Sequence, residues 1–286
     1  MDDRQADTIG AYAREYGLLH DVRENTLHQY RIAADLFERW AGGAVRLKDL
    51  DEKRVSEWLR ELAASRAPST VRAKRTHLLT LWRAAADESR CEPPIRRIRS
   101  IRVPFTPVEA WDADEARRIL DACTTLNRRH RCGLPRGEWW SLAVRVAWDT
   151  SLRRGDQLRL PVSAVRDDGS MMLVQSKTGR SVMVQLNPDT LSLLRASLDK
   201  CPRDLVTPWP SSEETFSKQF RLIVHRARVR PGTWKWLRRS GVTDVEAQWP
   251  GEGSKQAGHA PGSRVTAVHY LDMSKCGQRR VFPRPL

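Results

Sequence analysis

The stretch MMLVQSKTGRSVMVQL (171–186) departs from the rest of the chain. Val182, Val184 and Leu186 alternate with Ser181, Met183 and Gln185, the two-residue period of a strand with one buried face. MMLVQS has the same strand character, and KTGR between them carries Gly179 where a tight turn needs positive φ. Moving outward, the neighbours read as helix. Upstream, WDADEARRILDAC (111–123) opens with Asp112 and places Glu115 three residues later, a capping box with Asp as the cap. Residues 137–150 continue as helix and end at DTSLRRGDQLRL (149–160). Downstream, Asn187-Pro188 caps a further helix, and Ser211/Ser212 cap another running to about 229. The remainder reads as helical apart from WPGEGS (249–254). The expectation is a mainly α domain holding one small antiparallel hairpin.

The first third is helical in another way. NTLHQYRIAADLFERWA (25–41) spaces Leu27, Tyr30, Ala34, Phe37 and Trp40 by three and four. DEKRVSEWLRELAAS repeats this with Val55, Trp58, Leu59 and Leu62. A third helix, from about Thr70, buries Val71, Leu78, Leu81 and Trp82 and puts Arg72, Lys74, Arg75 and Arg83 on other faces. EPPIRRIRSIRVPFTP (92–107) then interrupts the pattern with prolines at 93, 94, 104 and 107, each lacking an amide donor and disfavouring helix before it. Residues 1–92 are therefore expected to form an all-α DNA-binding domain, 93–107 a basic linker, and 108–286 a second domain.

Charge narrows the function. The 286 residues carry a net charge of +15 with a pI near 10.3, which implies an anionic partner, nucleic acid foremost. The excess is +4 over residues 1–106 and +11 beyond, and residues 66–102 alone hold ten basic groups against three acidic ones. Arg72, Lys74, Arg75, Arg96, Arg97 and Arg99 are the candidate phosphate contacts of the first part. No apolar run approaches the ~20 residues that span a bilayer. The start, MDDRQADTIG, does not read as a signal peptide. Five scattered cysteines include no C-x-x-C pair, and Cys123, His130 and Cys132 lack a suitably spaced fourth ligand, so neither a zinc site nor a disulfide framework is expected. A reduced, soluble, cytoplasmic protein fits these features.

Polar groups in the second domain fall into a series: Arg153 in TSLRRGD, Lys177 in SKTGR, Lys235 and Arg238 in KWLR, His259 in AGH, and Tyr270 in VHYLD. Each alone is ordinary. Together, in this order, they resemble the tyrosine recombinases, or phage-integrase family. Two features depart from the family pattern: Lys235 stands where a histidine is usual, and the gap from Gly258-His259 to Tyr270 is about two residues longer.

The resemblance implies a helical, SAM-like core-binding domain followed by an α-rich catalytic domain with a small antiparallel sheet. It also implies double-stranded DNA as substrate, a homotetramer on two synapsed sites, and no cofactor or metal. Tyr270 would be the nucleophile, Arg153 and Arg238 the phosphate clamp, and Lys177 the general acid for the leaving 5′-oxygen. Lys235 and His259 would hydrogen-bond the phosphate or move the phenolic proton, and Asp156 would orient an arginine. The chemistry agrees. Phosphodiester cleavage without a metal needs fixed cations on the nonbridging oxygens, which arginine supplies in planar, permanently charged form, and a phenol can be the covalent nucleophile. A type IB topoisomerase-like enzyme and a non-catalytic DNA-binding protein of the same fold are the rival readings.

Overall fold

Thr8 begins the first helix, its hydroxyl accepting a hydrogen bond from Ala11 N. The computed structural model describes residues 7–95, 98–260 and 263–276. It divides into two units, Met1–Thr106 and Pro107–Leu286. The first contains helices α1 (Ile9–Leu19), α2 (Glu24–Trp40), α3 (Glu52–Ser65) and α4 (Pro68–Asp87). Helix α1 was not among the helices picked out by periodicity. Tyr12, Phe37, Trp58, Leu78 and Trp82 are almost fully buried in the core that all four helices share. Asp51 caps α3 through Arg54 N, and Pro68 occupies the first turn of α4, where its missing donor costs nothing.

The Pro- and Arg-rich strip is anchored on this unit where it is described. Trp82 Nε1 donates to Glu92 O at 2.9 Å, Ile95 N to Glu52 at 2.7 Å, and Arg75 Nη2 to Ile98 O at 2.7 Å. Ile98 is buried in the helical core. Among the expected DNA contacts, Arg72 and Arg99 are exposed, while Arg75 is partly committed to the strip. Lys74 corrects the sequence reading: it is 7% exposed, and its ammonium donates to Gln29 Oε1 at 3.2 Å. Its register places it against α2 rather than on the outer face of α4, and burial lowers its pKa. Arg96 and Arg97 lie outside the described residues.

The second unit contains α5 (Ala113–Thr124), α6 (Arg136–Thr150), α7 (Arg154–Gln157), a hairpin of β1 (Ser170–Val174) and β2 (Ser181–Gln185), then α8 (Pro188–Lys200), α9 (Glu213–Arg226), α10 (Trp234–Gln248), α11 (Gly253–Gln256) and α12 (Val265–His269). Both halves of the capping box form: Asp112 accepts from Glu115 N, and Glu115 from Asp112 N. The strands pair antiparallel with Met172 opposite Met183, and Val182 and Val184 point inward as their alternation requires. Asn187 precedes Pro188 at the start of α8, but its side chain binds Asp149 at 2.7 Å instead of capping.

Tryptophan builds the core beneath α9 and α10. Trp140 and Trp234 lie 5.0 and 4.8 Å from Phe216, and Phe220 lies 4.7 Å from Trp234. Aromatic contacts at such distances add to the area buried. His130 belongs to this cluster too, stacked on Trp139 at 4.5 Å. Gly241 lets α10 approach α6: a Cβ there would lie 2.2 Å from Trp148 O and 2.5 Å from Ser151 Oγ.

The expectation of near-continuous helix to the end is not met. Beyond α10 the described chain forms only the short α11 and α12, because Gly251 (φ 95°) and Gly258 (φ 62°) take left-handed conformations that stop a helix. Tyr270 consequently ends a five-residue helix rather than riding a long amphipathic one. Gly241→Ala is expected to lower unfolding stability by about 1–3 kcal/mol through overpacking against fixed backbone. Urea denaturation of the full chain measures this, and an unchanged midpoint would show that α6 and α10 separate easily.

Candidate active site

Helix α6 ends at Ser151, a buried residue in the left-handed conformation (φ 49°). That turn leaves the Ser151 carbonyl available, and Arg238 Nη1 donates to it from α10. Nη2 of the same guanidinium donates to Ala257 O at 2.7 Å. Arg238 is 3% exposed, so these two carbonyls satisfy much of a charge that burial would otherwise penalise heavily. Burial, more than the neighbouring Arg153, brings its pKa down to about 10, which still leaves it protonated at neutral pH.

Arg153 precedes α7 and reaches the same network through Gln175. Its Nη1 donates to Gln175 Oε1 at 2.6 Å, while Gln175 Nε2 donates to Ala257 O at 3.0 Å. The amide orientation is fixed by its partners, since a guanidinium can only donate and a carbonyl only accept. Gln175 is 1% exposed and also accepts from Thr178 Oγ1 at 3.2 Å. It thereby joins the hairpin turn to both arginines. Gly258 makes room for it: a Cβ there would lie 2.5 Å from Gln175 Nε2.

Lys177 sits exposed in that turn. Asp156 corrects the sequence reading, because its carboxylate serves the turn rather than an arginine clamp. Oδ1 accepts from Ser176 Oγ at 2.5 Å and Ser176 N at 3.1 Å, and Arg159 is 3.8 Å away. The side chain lies on the hairpin side of α7, so it fixes the residue next to Lys177.

Tyr270 completes the group. Its ring centroid is 4.8 Å from the Arg238 guanidinium carbon, 5.5 Å from Lys235 Nζ and 4.9 Å from the His259 ring. Arg153, Lys177, Lys235, Arg238 and Tyr270 line one cavity of about 560 Å³. Desolvation raises the phenol pKa, but the charges of Arg238, Arg153 and Lys235 together outweigh it, and the net shift is downward. Desolvation first, then Arg239, lowers the pKa of Lys235. His259 is held down to about 4 by burial and by Arg238 and Arg153, so its imidazole is neutral at pH 7. Nδ1 lies 2.7 Å from Thr266 Oγ1, and the buried Nε2 has no hydrogen-bond partner in this structure.

The segment carrying Tyr270 is tied down on both sides. Arg239 Nε donates to His269 O at 3.3 Å, and Thr243 Oγ1 donates to Tyr270 O at 3.3 Å and accepts from Asp272 N at 3.1 Å. Asp272 is 6% exposed and accepts from Ala110 N at 3.2 Å, while Lys275 Nζ donates to Ala110 O at 2.5 Å. Gln175, Thr243 and Asp272 escaped the sequence reading. A signal existed for Gln175: it continues the inward register of Met171 and Leu173 as a polar residue. Among the described residues no group of three or more His, Cys, Asp or Glu side chains converges as a metal site.

Residues 109–243 match the phage integrase family. That match lies within the second unit and takes in most of it. A tyrosine recombinase XerD of Caulobacter vibrioides is 22% identical over 170 residues, 57% of this chain and 54% of that protein. The match thus spans about half the length of this relative. A crystallised lambda integrase dimer bound to a COC' core site superposes with a TM-score of 0.74 at 19% identity, over 95% of this chain and 79% of that one. The XerH site-specific recombinase in a post-cleavage complex on palindromic difH substrate gives 0.68 at 16% identity, over 89% and 76%. These likenesses establish the tyrosine-recombinase fold.

The electrostatics of this site can be read in solution. Tyr270 is expected to ionise below the ordinary tyrosine range, whereas burial raises the pKa of Tyr12 and Tyr16. Alkaline titration by ultraviolet phenolate absorbance should show an early component that Tyr270→Phe removes and Arg238→Ala moves to higher pH. An early component that survives in Tyr270→Phe would contradict this geometry.

Proposed function

We propose that the chain is a site-specific DNA recombinase that cuts and rejoins duplex DNA through a 3′-phosphotyrosyl intermediate. The observation that carries this reading is the placement of the Tyr270 ring against Arg238, Lys235 and His259, in a cavity shared with Arg153 and Lys177. A phosphodiester seated there would meet two guanidinium groups, matched in shape and charge to its nonbridging oxygens. The Tyr270 oxygen attacks phosphorus, the bond to the 5′-oxygen breaks, and Lys177 protonates that leaving oxygen. Lys235 and His259 hydrogen-bond the phosphate and carry away the phenolic proton. The neutral imidazole suits this better than a further cation, since two arginines already supply the charge. Reversal with a different 5′-hydroxyl reseals the strand, and the phosphotyrosine conserves the bond, so no ATP is consumed.

Each protomer offers one Tyr270. Cutting both strands at two duplex sites therefore calls for four copies on the synapsed DNA. Within the first unit, Arg72, Arg75 and Arg99 are the proposed phosphate contacts, and Arg96 and Arg97 extend that set. Among the described residues no helix is long and apolar enough to cross a membrane, and action on DNA in the cytoplasm is the proposed setting.

A nicked duplex that traps covalent intermediates tests the chemistry. Such DNA, drawn from sequence flanking the gene or from a selected library, is expected to give a denaturation-resistant adduct with wild type in the presence of a chelator. Tyr270→Phe should bind the same DNA and form none. Normal cleavage by the Phe variant would overturn the assignment. Arg153→Ala and Arg238→Ala are each expected to slow adduct formation by about 10²–10³-fold, the scale of losing one preorganised donor to the transition state. A two-site assay then separates strand exchange from the nicking and closing of a type IB topoisomerase.

A further inference from the structure

Arg154 adjoins the proposed catalytic arginine, and the mechanism above gives it no task. Its guanidinium is nevertheless carefully placed. The guanidinium carbon lies 5.6 Å over the ring of Phe216, which is fully buried. Nη1 donates to Ser217 Oγ at 2.9 Å, and Nη2 donates to the Glu213 carboxylate. Glu213, Ser217 and Arg221 recur at intervals of four along α9 and so share one face. Arg154, Ser217 and Arg221 line the cavity that also holds Tyr270.

The two partners of the ion pair differ in how they are held. The Arg154 side chain is 26% exposed and braced by an aromatic ring and a hydroxyl, whereas that of Glu213 is 74% exposed. The cation is built into the unit; the anion is an exposed surface group. An exposed ion pair of this kind is weakly held. The Glu213 oxygen marks where an anionic oxygen meets the guanidinium, and an arriving phosphate would repel the carboxylate while offering an oxygen in its place. The planar fork of arginine suits a phosphate at least as well.

We propose that Arg154, with Ser217 and Arg221 beside it, forms a second phosphate subsite for a DNA backbone phosphate other than the one attacked by Tyr270, and that Glu213 occupies it in the absence of DNA. The subsite rests on the DNA-cleaving reading of the neighbouring cavity. It assigns Arg154 to holding the duplex and leaves bond cleavage to Arg153 and Arg238.

The test uses the full chain, a duplex DNA and a salt series, with single-turnover adduct formation on the nicked duplex measured at saturating protein. Arg154→Ala is expected to flatten the slope of log affinity against log salt by about one, to weaken binding several-fold at low salt, and to leave the saturated adduct rate within about threefold of wild type. Glu213→Gln, which keeps the arginine and removes the competing charge, should bind DNA more tightly than wild type at low salt. An unchanged slope in Arg154→Ala, or an unchanged affinity in Glu213→Gln, would make the trio a structural tie between α7 and α9. An adduct rate in Arg154→Ala as low as in Arg153→Ala would move Arg154 into the chemistry and overturn the subsite equally. Should Arg154→Ala fail to fold, Glu213→Gln decides alone. Absence of any wild-type adduct would count against the recombinase reading instead, because the salt slope is measured without cleavage.

Discussion

The buried guanidinium of Arg238, bound to the Ser151 and Ala257 carbonyls, is the constraint around which the second unit is organised. A charge that deep is tolerated only where backbone oxygens converge on it. Both oxygens come from places where a helix has just ended, one after α6 and one after α11. Gly241 brings α10 close enough to α6 for the first contact, and Gly258 clears the space in which the second is shared with Gln175. The tryptophan-rich cluster holds α9 and α10 from below, so that the arginine is presented by a rigid support.

That arrangement converts burial into chemistry. The ring of Tyr270 lies against the same guanidinium, and three cations together outweigh the desolvation that would otherwise raise the pKa of the phenol. Burial and, after it, Arg238 and Arg153 suppress protonation of His259. The site thus lowers the pKa of the phenol and keeps the imidazole neutral. Both effects suit a site that receives a negatively charged phosphate among fixed positive groups.

The residues proposed to carry the chemistry could be picked out because their types and order are visible in the sequence. Arg153, Lys177, Lys235, Arg238 and Tyr270 were named from four separated motifs, and the fold brings them to one cavity. Hairpin register was legible from alternation, and the start of α5 from its capping box. What escaped were the residues that work across long separations. Gln175 meets Ala257 and Asp272 meets Ala110 through contacts that no local period announces. Lys74 misled because a basic residue on a helix looks solvated until its neighbour α2 is in place, and Asp156 because its hydrogen-bond partner, Ser176, lies twenty residues on in the hairpin turn. The segment after α10 misled because its glycines were read as punctuation only at 249–254, while Gly258 ends a helix further on.

Asp272 has a consequence for how this unit is wired. Its carboxylate fastens the stretch just beyond Tyr270 to Ala110, three residues before α5 begins. The start and the far end of a long covalent path are therefore knotted together beside Tyr270, with Lys275 tightening the join from the other side. A tug on the chain where it enters the unit does not have to travel through the helices to reach the segment that carries the phenol; it arrives through Asp272 and Lys275.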